Sequence, residues 1–407
     1  MTAAPLRRNR DFLLLWSGQA LSVLGSRVSS VAYPLLVLDM TGSPSTAAFV
    51  GFAGTAPYLL LQLPAGALAD RHNRRRMMIV CDSVRALALL SVVVALVAGT
   101  LTVAQLMVVA FVEGSMFVAF SAAETSAVAH IVPAEQVPMA LSQNEARMRA
   151  AGMAGPPLGG ILFGAARSLP FLADAVSYLA SLGTLLAIRR EFESAPERSR
   201  DGLLREIRLG VRWLLGHAFL RDTALLVAGS NMLFQALVLV LIVLAKGHGA
   251  SSGTVGLMLA GSGVGGVAGA LAAPWLQRRI SPRAVVIGAN WAWAVLFPLF
   301  AVLDSPFALG AVFAACAFVG PAWNVVLGAY QLALVPDELR GRVSSVDLLI
   351  AFGAIPIGSL LAAGLLSLLS PSGAAAALAV IMLAVAISAV SAPSIRHAPP
   401  IHGARLR

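Results

Sequence analysis

Of the charged residues inside the long apolar stretches of the sequence, three are candidates for proton chemistry: Arg27, Glu113 and Asp174. An isolated arginine at the centre of a bilayer costs roughly 2.5–3.5 kcal/mol on insertion scales, so such side chains face a cavity or pair with one another. A carboxylate there can take up and release a proton. The pair of Arg27 and Glu113 could therefore act as a proton switch, although a permanent structural ion pair explains the two residues equally well.

Asp174 and the remaining carboxylates in the apolar stretches can also be explained without a role in proton transport. Asp174 lies about one turn inside its stretch, where it could take protons, bind a cationic substrate, or be a solvated carboxylate at a helix start. Glu145 and Arg149 are four residues apart, and Asp82 and Arg85 are three apart. Both spacings allow the side chains to meet on one helix face, so these are interpreted as local structural pairs.

The composition indicates which elements carry these residues. The chain has 407 residues, of which 58% are hydrophobic and 12% charged, and its mean hydropathy is +0.84. These values are typical of an all-α, polytopic membrane protein. A span needs about 20 apolar residues, and the sequence offers twelve such stretches: 12–38, 46–69, 76–99, 102–123, 139–164, 169–189, 223–246, 254–275, 283–303, 306–330, 343–368 and 373–392.

The polar interval between the sixth and seventh stretches divides them six and six. The predicted organisation is a six-helix bundle over residues 1–190, a cytoplasmic linker over 191–222, and a second six-helix bundle with a short tail over 223–407. Within the linker, apolar residues and arginines alternate with a helical period from Leu203 to Leu215. This pattern predicts an amphipathic helix lying in the membrane interface.

The two halves also repeat each other. IVPAE at 131–135 precedes the fifth stretch and LVPDE at 334–338 precedes the eleventh, and PLGG at 157–160 is matched by PIGS at 356–359. Two matches in the same order favour an internal duplication over chance. Such repeats are typical of transporters whose two halves are pseudo-symmetric around a central cavity.

The distribution of basic residues predicts the orientation. Of 29 Lys and Arg residues, the loops on one side of the spans hold only Arg167 and Lys246. Most of the others lie at the two termini, in the linker, and in the turns near 70–76, 276–283 and 340–342. Because positive loops stay in the cytoplasm, both termini are predicted to be cytoplasmic. The net charge of +10 is thereby explained without nucleic acid.

Several chemistries find no support in the sequence. Its two cysteines, Cys81 and Cys316, lie in apolar stretches without metal-ligand spacing. Lys246 is followed by Gly247 and His248, so it does not complete a phosphate-binding loop. No nucleophile and base are suitably spaced either. We therefore expect no metal, no cofactor and no enzymatic activity, and we expect any transport to be driven by ion gradients.

Specific motifs resemble the major facilitator superfamily over nearly the whole chain. GALADRHNRRR, from Gly66 to Arg76, resembles its signature between the second and third helices, with Asn73 replacing the usual second glycine. Asparagine readily enters the left-handed region, which would make this replacement tolerable. The segments 111–114 and 171–174 resemble a branch of bacterial exporters that includes siderophore and macrolide efflux proteins. The fifth stretch resembles the antiporter motif through Gly152, Gly155, Pro156, Pro157, Gly159 and Gly160.

The resemblance implies a gating role for the charged turn, to which Gly66 and Arg71 belong. Asp70 would face the start of the eleventh helix, and Arg74 would reach Glu124 at the cytoplasmic end of the fourth. These contacts would stabilise the outward-facing state. A charge cluster that only sets the topology is the alternative. The resemblance also implies that the first and fourth helices, carrying Arg27 and Glu113, line the cavity.

Substrate-binding candidates are neutral or aromatic. Asn231, Gln235 and Asn324 could donate and accept hydrogen bonds, and Trp323, with Trp291 and Trp293, could provide an adaptable apolar surface. Packing against other helices or lipid is the commoner role for such tryptophans. Asp347 is a weaker cavity candidate.

These features predict a monomeric secondary transporter of the bacterial inner membrane. Its expected activity is proton-coupled efflux, by alternating access, of a hydrophobic or amphipathic small molecule such as a drug, siderophore or natural product. The expected partners are that substrate, protons and the lipid bilayer. An importer or lipid flippase on the same fold, or a transporter-like sensor that moves nothing, remain alternatives.

Overall fold

The computed structural model describes residues 6–188, 203–336 and 339–397, and α-helix accounts for nearly all of them. The first six long helices are α1 (Arg10–Thr41), α2 (Pro44–Arg71), α3 (Arg74–Ala98), α4 (Val103–Ile131), α5 (Val137–Ala165) and α6 (Leu169–Ala187). The later helices are α7 (Leu203–Gly216), α8 (Ala218–Gly247), α9 (Ser252–Arg279), α10 (Pro282–Leu296), α11 (Leu299–Val302), α12 (Pro306–Leu334), α13 (Arg340–Leu368), α14 (Pro371–Ser391) and α15 (Pro393–Arg396).

The long helices match the predicted spans. Within the described ranges, eleven helical segments are long and apolar enough to cross a membrane, with α10 and α11 together forming one of them. The predicted fifth span is α5, which is not among the eleven although it has 29 residues. It carries Glu145, Arg147 and Arg149 as well as several glycines, and these lower its hydropathy. All twelve predicted spans are therefore helical.

The helix ends follow from local sequence signals. The side chains of Asn9, Ser43 and Thr102 accept hydrogen bonds from backbone N–H groups in the first turns of α1, α2 and α4, as expected of N-cap residues. Gly42 and Gly99 end α1 and α3 with φ of 63° and 69°. Glycine adopts this left-handed conformation without steric cost, so the tight connections to the next helices are encoded locally.

Contacts between Cα atoms group the chain into two compact units. The first comprises Met1–Arg198 together with Gly249–Ala260, and the second comprises Ser199–His248 and Gly261–Arg407. The beginning of α9 thus packs with the first unit. The domain boundaries at 190 and 222 stay a prediction.

In the first unit, α1 packs on α5 and α6, α4 packs on α2 and α3, and α3 also packs on α6. Small residues allow the closest approaches: a Cβ at Gly114 of α4 would overlap the carbonyl oxygen of Gly54 in α2. This arrangement brings the middle of α1, α3, α4 and α6 together.

In the second unit, α8 packs on α13 and α14, and α10 packs on α12 and α14. Gly261, Gly265 and Gly269 of α9 lie directly against the backbone of α12, which explains their small-residue spacing. The predicted linker helix exists as α7 and packs on α13. Leu214 is buried and Arg212 is exposed, as an amphipathic helix requires, whereas the side chains of residues 203–207 lie outside the described set.

Candidate functional site, a buried polar cluster in the first unit

The carboxylate of Glu113 is bound by two phenols from different helices. Tyr33 of α1 donates a hydrogen bond from Oη to Glu113 Oε2 at 2.5 Å, and Tyr178 of α6 donates to Oε1 at 3.3 Å. Hydrogen bonds to an ionised acceptor are roughly twice as strong as neutral ones. The charge state of this one side chain therefore affects the packing of α1, α4 and α6.

Asp174 is completely buried, with no exposed surface. Ser29 of α1 donates to its Oδ2 at 2.5 Å, and Ser177, one turn further along α6, donates to its Oδ1 at 3.2 Å. The interpretation of Asp174 as a solvated carboxylate at a helix start is therefore wrong. The close packing of α1 on α6 excludes solvent, because Gly25 lies directly opposite Ser177 and Asp174.

Arg85 of α3 is the cation at this site. Its guanidinium carbon lies 4.0 Å from the centre of the Tyr178 ring, and Nη2 donates to Ser26 Oγ at 3.1 Å. Its Nη1 is also 3.9 Å from Asp82 Oδ1, so the predicted local pair is present. Cation–π contacts of desolvated arginines stabilise by about 2 kcal/mol. The spacing of Asp82 and Arg85 predicted only the local pair and did not indicate the contacts of Arg85 with α1 and α6.

Ser26 and Tyr178 connect these groups. Their hydroxyl oxygens are 2.9 Å apart, so Tyr178 contacts Glu113, Ser26 and the guanidinium of Arg85 at once. We call Arg85, Asp82, Glu113, Asp174 and the hydroxyl groups bound to them the polar cluster. It contains three carboxyl groups and one guanidinium. The carboxyl groups can therefore gain or lose protons while the guanidinium stays charged.

The predicted pair of Arg27 and Glu113 is not formed in this structure. Arg27 is exposed, and within the described chain no ion pair joins it to Glu113. The reason is geometric: Glu113 is directed towards the phenols, and the backbone of Arg27 packs against Gly155 of α5. Arg85 replaces Arg27 as the arginine beside the central carboxylates.

The charged turn between α2 and α3 differs from expectation in its partners. Glu124 pairs with Arg147 of α5 at 2.8 Å, rather than with Arg74. Arg74 is buried, and its Nη1 lies 3.1 Å from His130 Nδ1. Arg147 is buried beside this carboxylate. The predicted contact between Arg74 and Glu124, which was expected to stabilise the outward-facing state, stays a prediction.

The charged turn also contains Gly66, Asp70, Arg71 and Asn73. The side chain of Asp70 lies outside the described set, so its proposed contact with the eleventh span stays a prediction. Arg71 is exposed, and a Cβ at Gly66 would meet open space. Asn73 has φ of −61° rather than a left-handed conformation, and its Oδ1 accepts from Arg76 N at 3.0 Å. The structure assigns it to the N-cap of α3.

The glycines of the antiporter-like motif are packing positions. A Cβ at Gly155 or Gly159 would overlap α1, at Arg27 and Val28 respectively. On the opposite side, Gly160 lies against the carbonyl oxygen of Ser252 at the start of α9. Pro156 contacts the start of α9, whereas a Cβ at Gly152 would meet open space. Pro157 lies next to Pro156 on α5. Gly155, Gly159 and Gly160 therefore allow α5 to pack closely on α1 and on the first residues of α9, whereas Gly152 has no such role.

Most of the candidate substrate residues in the second unit contact other helices of the protein. Asn231 Nδ2 donates to Ala351 O at 2.8 Å, and Gln235 Nε2 donates to Ser359 Oγ at 3.2 Å, so both tie α8 to α13. Trp323 is 2% exposed and packs 5.7 Å from the ring of Trp293; its alternative role in packing is the one observed.

Two further candidates in the second unit have different surroundings. Asn324 is exposed. Asp347, for which the sequence offered no obvious partner, accepts a hydrogen bond from Gln331 Nε2 at 2.8 Å.

Eleven helical segments long and apolar enough to cross a membrane, within the described residues, define a polytopic membrane protein. The solved structure of the nucleoside transporter NupG has the same fold: it superimposes with a TM-score of 0.77 at 12% identity, over 95% of this chain and 100% of that one. The class is therefore the major facilitator fold.

The chain belongs to the transmembrane secretion effector family of the major facilitator superfamily, whose family model matches residues 1–398. It is 28% identical to the multidrug efflux pump Tap of Mycolicibacterium fortuitum over 91% of this chain and 93% of that protein. It is 25% identical to the pump of the same name in Mycobacterium tuberculosis, over 96% and 94% of the two chains. The chain is thus a multi-pass transporter of small molecules and not an enzyme.

Proposed function

We propose that this chain exports hydrophobic or amphipathic small molecules in exchange for protons, by alternating access. Two relatives that match over nearly their whole length are named multidrug efflux pumps, and a shorter match of 27% identity over 153 residues is named macrolide efflux protein A of Streptococcus pyogenes. These names support export of drugs or natural products. The proposed location is the bacterial inner membrane, with both termini in the cytoplasm.

The observation that carries the proposal is the position of Glu113 and Asp174 in one buried cluster beside a single arginine. Each carboxylate accepts a hydrogen bond from at least one hydroxyl group on another helix. In this proposal Glu113 is the site that gains and loses the transported proton, and Asp174 is a second acid that supports the network. Without these carboxylates, the cluster would contain no group whose protonation could change the contacts between the helices.

Protonation would act through the hydrogen bonds of Glu113. The ionised carboxylate accepts from Tyr33 and Tyr178 together. Once Oε1 or Oε2 carries a proton, that oxygen becomes a donor and one phenol must find another acceptor. The contacts that join α4 to α1 and α6 then change, while Arg85 keeps its position over the Tyr178 ring. This rearrangement is the proposed link between proton uptake and alternating access.

The available energy suffices for this mechanism. A proton entering down the membrane potential provides roughly 2.3 kcal/mol per 100 mV. Tenfold accumulation of a neutral solute requires about 1.4 kcal/mol. One proton per cycle can therefore drive export of an uncharged drug.

Reconstituted liposomes containing a pH-sensitive dye test the proposal. A panel of lipophilic drugs and siderophores is added, and we expect proton movement with at least one class. Glu113→Gln should abolish this movement, whereas Asp174→Asn should retain it. Glu145→Gln is the matched control, because Glu145 is an exposed acid on α5 paired only with Arg149 among the described residues.

The possible outcomes separate the alternatives. Unchanged coupling in Glu113→Gln would reduce that residue to an architectural role. No proton movement with any compound would contradict proton-coupled export and favour an importer, a lipid flippase or a sensor. An importer would raise cellular accumulation of its substrate, and a flippase would change the composition of the membrane leaflets.

A further inference from the structure

A cavity of about 260 Å³ lies within the second unit, between α9, α10 and α12. Its walls are apolar and largely built from small residues, among them Gly269, Gly288 and Ala322. Ligand sites for drug-sized molecules usually have roughly 300–1,000 Å³ and several convergent polar groups. This cavity is smaller and lacks such groups in its lining, so it suits a length of hydrocarbon chain better than a drug.

One end of the cavity lies at a basic turn. Its lining includes Leu276 in the last turn of α9, Ile280 directly after that helix, and Ala284 at the start of α10. Three arginines alternate with these residues in the sequence, Arg278, Arg279 and Arg283, and all three are exposed. The apolar cavity and the positive charges are therefore adjacent.

Nothing on the surrounding helices neutralises these charges. The sequences of α9, α10 and α12 contain no Asp and no Glu. In a bilayer, basic groups beside an apolar site between helices attract the head groups of anionic lipids, each contributing about fivefold in affinity near the surface. The complementary charge must therefore come from outside these three helices.

The position of Trp275 fits a location at the level of the lipid head groups. Its side chain is 58% exposed, and the guanidinium of Arg279 lies 5.3 Å from the centre of its ring. Tryptophan is enriched at the boundary between hydrocarbon and water. The contact holds Arg279 at that boundary, next to the mouth of the cavity.

We propose that this site binds one anionic glycerophospholipid. An acyl chain occupies the cavity between α9, α10 and α12, and the phosphate is bound by Arg278, Arg279 and Arg283. The site is separate from the polar cluster, and the proposal does not depend on proton coupling.

Native mass spectrometry of the full chain in detergent tests the site. Phosphatidylglycerol and phosphatidylcholine with identical acyl chains are titrated, and phosphatidylglycerol should bind more tightly. The double variant Arg278→Gln, Arg279→Gln should lower phosphatidylglycerol affinity about 25-fold and leave phosphatidylcholine nearly unchanged. Arg212→Gln is the control, because Arg212 is an exposed arginine on α7.

A second pair of variants tests the cavity. Gly288→Leu should fill it and weaken both lipids, whereas Gly364→Leu on α13 should weaken neither; a Cβ at either glycine meets open space. Equal affinity of the wild type for the two lipids, or undiminished phosphatidylglycerol binding in the double arginine variant, would overturn the proposal. Competition by glycerol phosphate as strong as that by the lipid would show that the chain is not bound, and would also overturn it. If Gly288→Leu fails to fold, the arginine variants decide alone.

Discussion

The two units of this transporter contain similar helices but bury different chemistry. The first buries Arg85, Asp82 and Asp174 at 4%, 0% and 0% exposure. The second buries aromatic rings instead, with Phe234 packed edge-on against Trp293 at 5.3 Å. Its buried polar side chains are neutral, as in Asn290. Among the described residues, the fully buried charged side chains therefore lie in the first unit.

This difference suggests a division of labour. Ionisable groups inside a bilayer are costly and persist where they pair or respond to protons. Apolar aromatic rings carry no charge at any pH, so we expect the packing of the second unit to depend little on pH. We therefore expect pH-dependent behaviour to originate in the first unit, and substitutions in the second to change stability or substrate preference without changing proton coupling.

The largest expected effect follows from removal of the buried cation. Arg85→Gln leaves Asp82, Glu113 and Asp174 without their guanidinium, and breaking a buried ion pair in this way costs about 3–5 kcal/mol. The unfolding temperature in detergent should fall strongly, and more at pH 8 than at pH 5, because the unpaired acids become neutral when protonated. Arg85→Lys should recover part of the loss. Equal loss at both pH values would contradict a charge-based role.

A smaller effect is expected at the packed glycines of the second unit. A Cβ at Gly265 would overlap the backbone of Ala314, and overpacking of this kind costs about 1–3 kcal/mol. Gly265→Ala should therefore lower the unfolding temperature equally at pH 5 and pH 8. Gly364→Ala, which meets open space, serves as the control. A pH-dependent loss in Gly265→Ala would break the contrast between the units.

The smallest effect concerns the turn between α2 and α3. Asn73→Ala removes the cap of α3 and should cost about 1 kcal/mol, whereas Asn73→Gly should cost only a few tenths. Chemical unfolding of the purified chain measures the difference. If the Asn73→Gly variant were instead more stable than the wild type, this result would favour a left-handed conformation at position 73, as its place in the motif led us to expect.

The fold was largely predictable from the sequence. The twelve apolar stretches correspond to helices, and the family resemblance is confirmed by the match over residues 1–398. Local pairs were equally accessible: Glu145 and Arg149 lie 2.7 Å apart, because a spacing of four residues places side chains on one helix face. Caps and turn glycines are local signals of the same kind.

The composition of the polar cluster could not be predicted in the same way. Arg27 and Arg85 are both arginines in apolar spans, and the sequence does not indicate which one faces Glu113. That choice depends on how α1, α3, α4 and α6 are rotated about their axes. The rotation is set by packing between helices far apart in the chain, such as Gly25 against Ser177.

The sequence by itself determined the membrane-spanning helices, their order and their ends, because hydropathy, capping and short connections act within one or two turns of the chain. Only the tertiary structure decided that Arg85 lies over Tyr178, that Asp174 is buried beside Ser29, and that Glu124 pairs with Arg147. These contacts join residues from different helices. Their partners are therefore selected by the rotation and packing of whole helices, which no local pattern specifies.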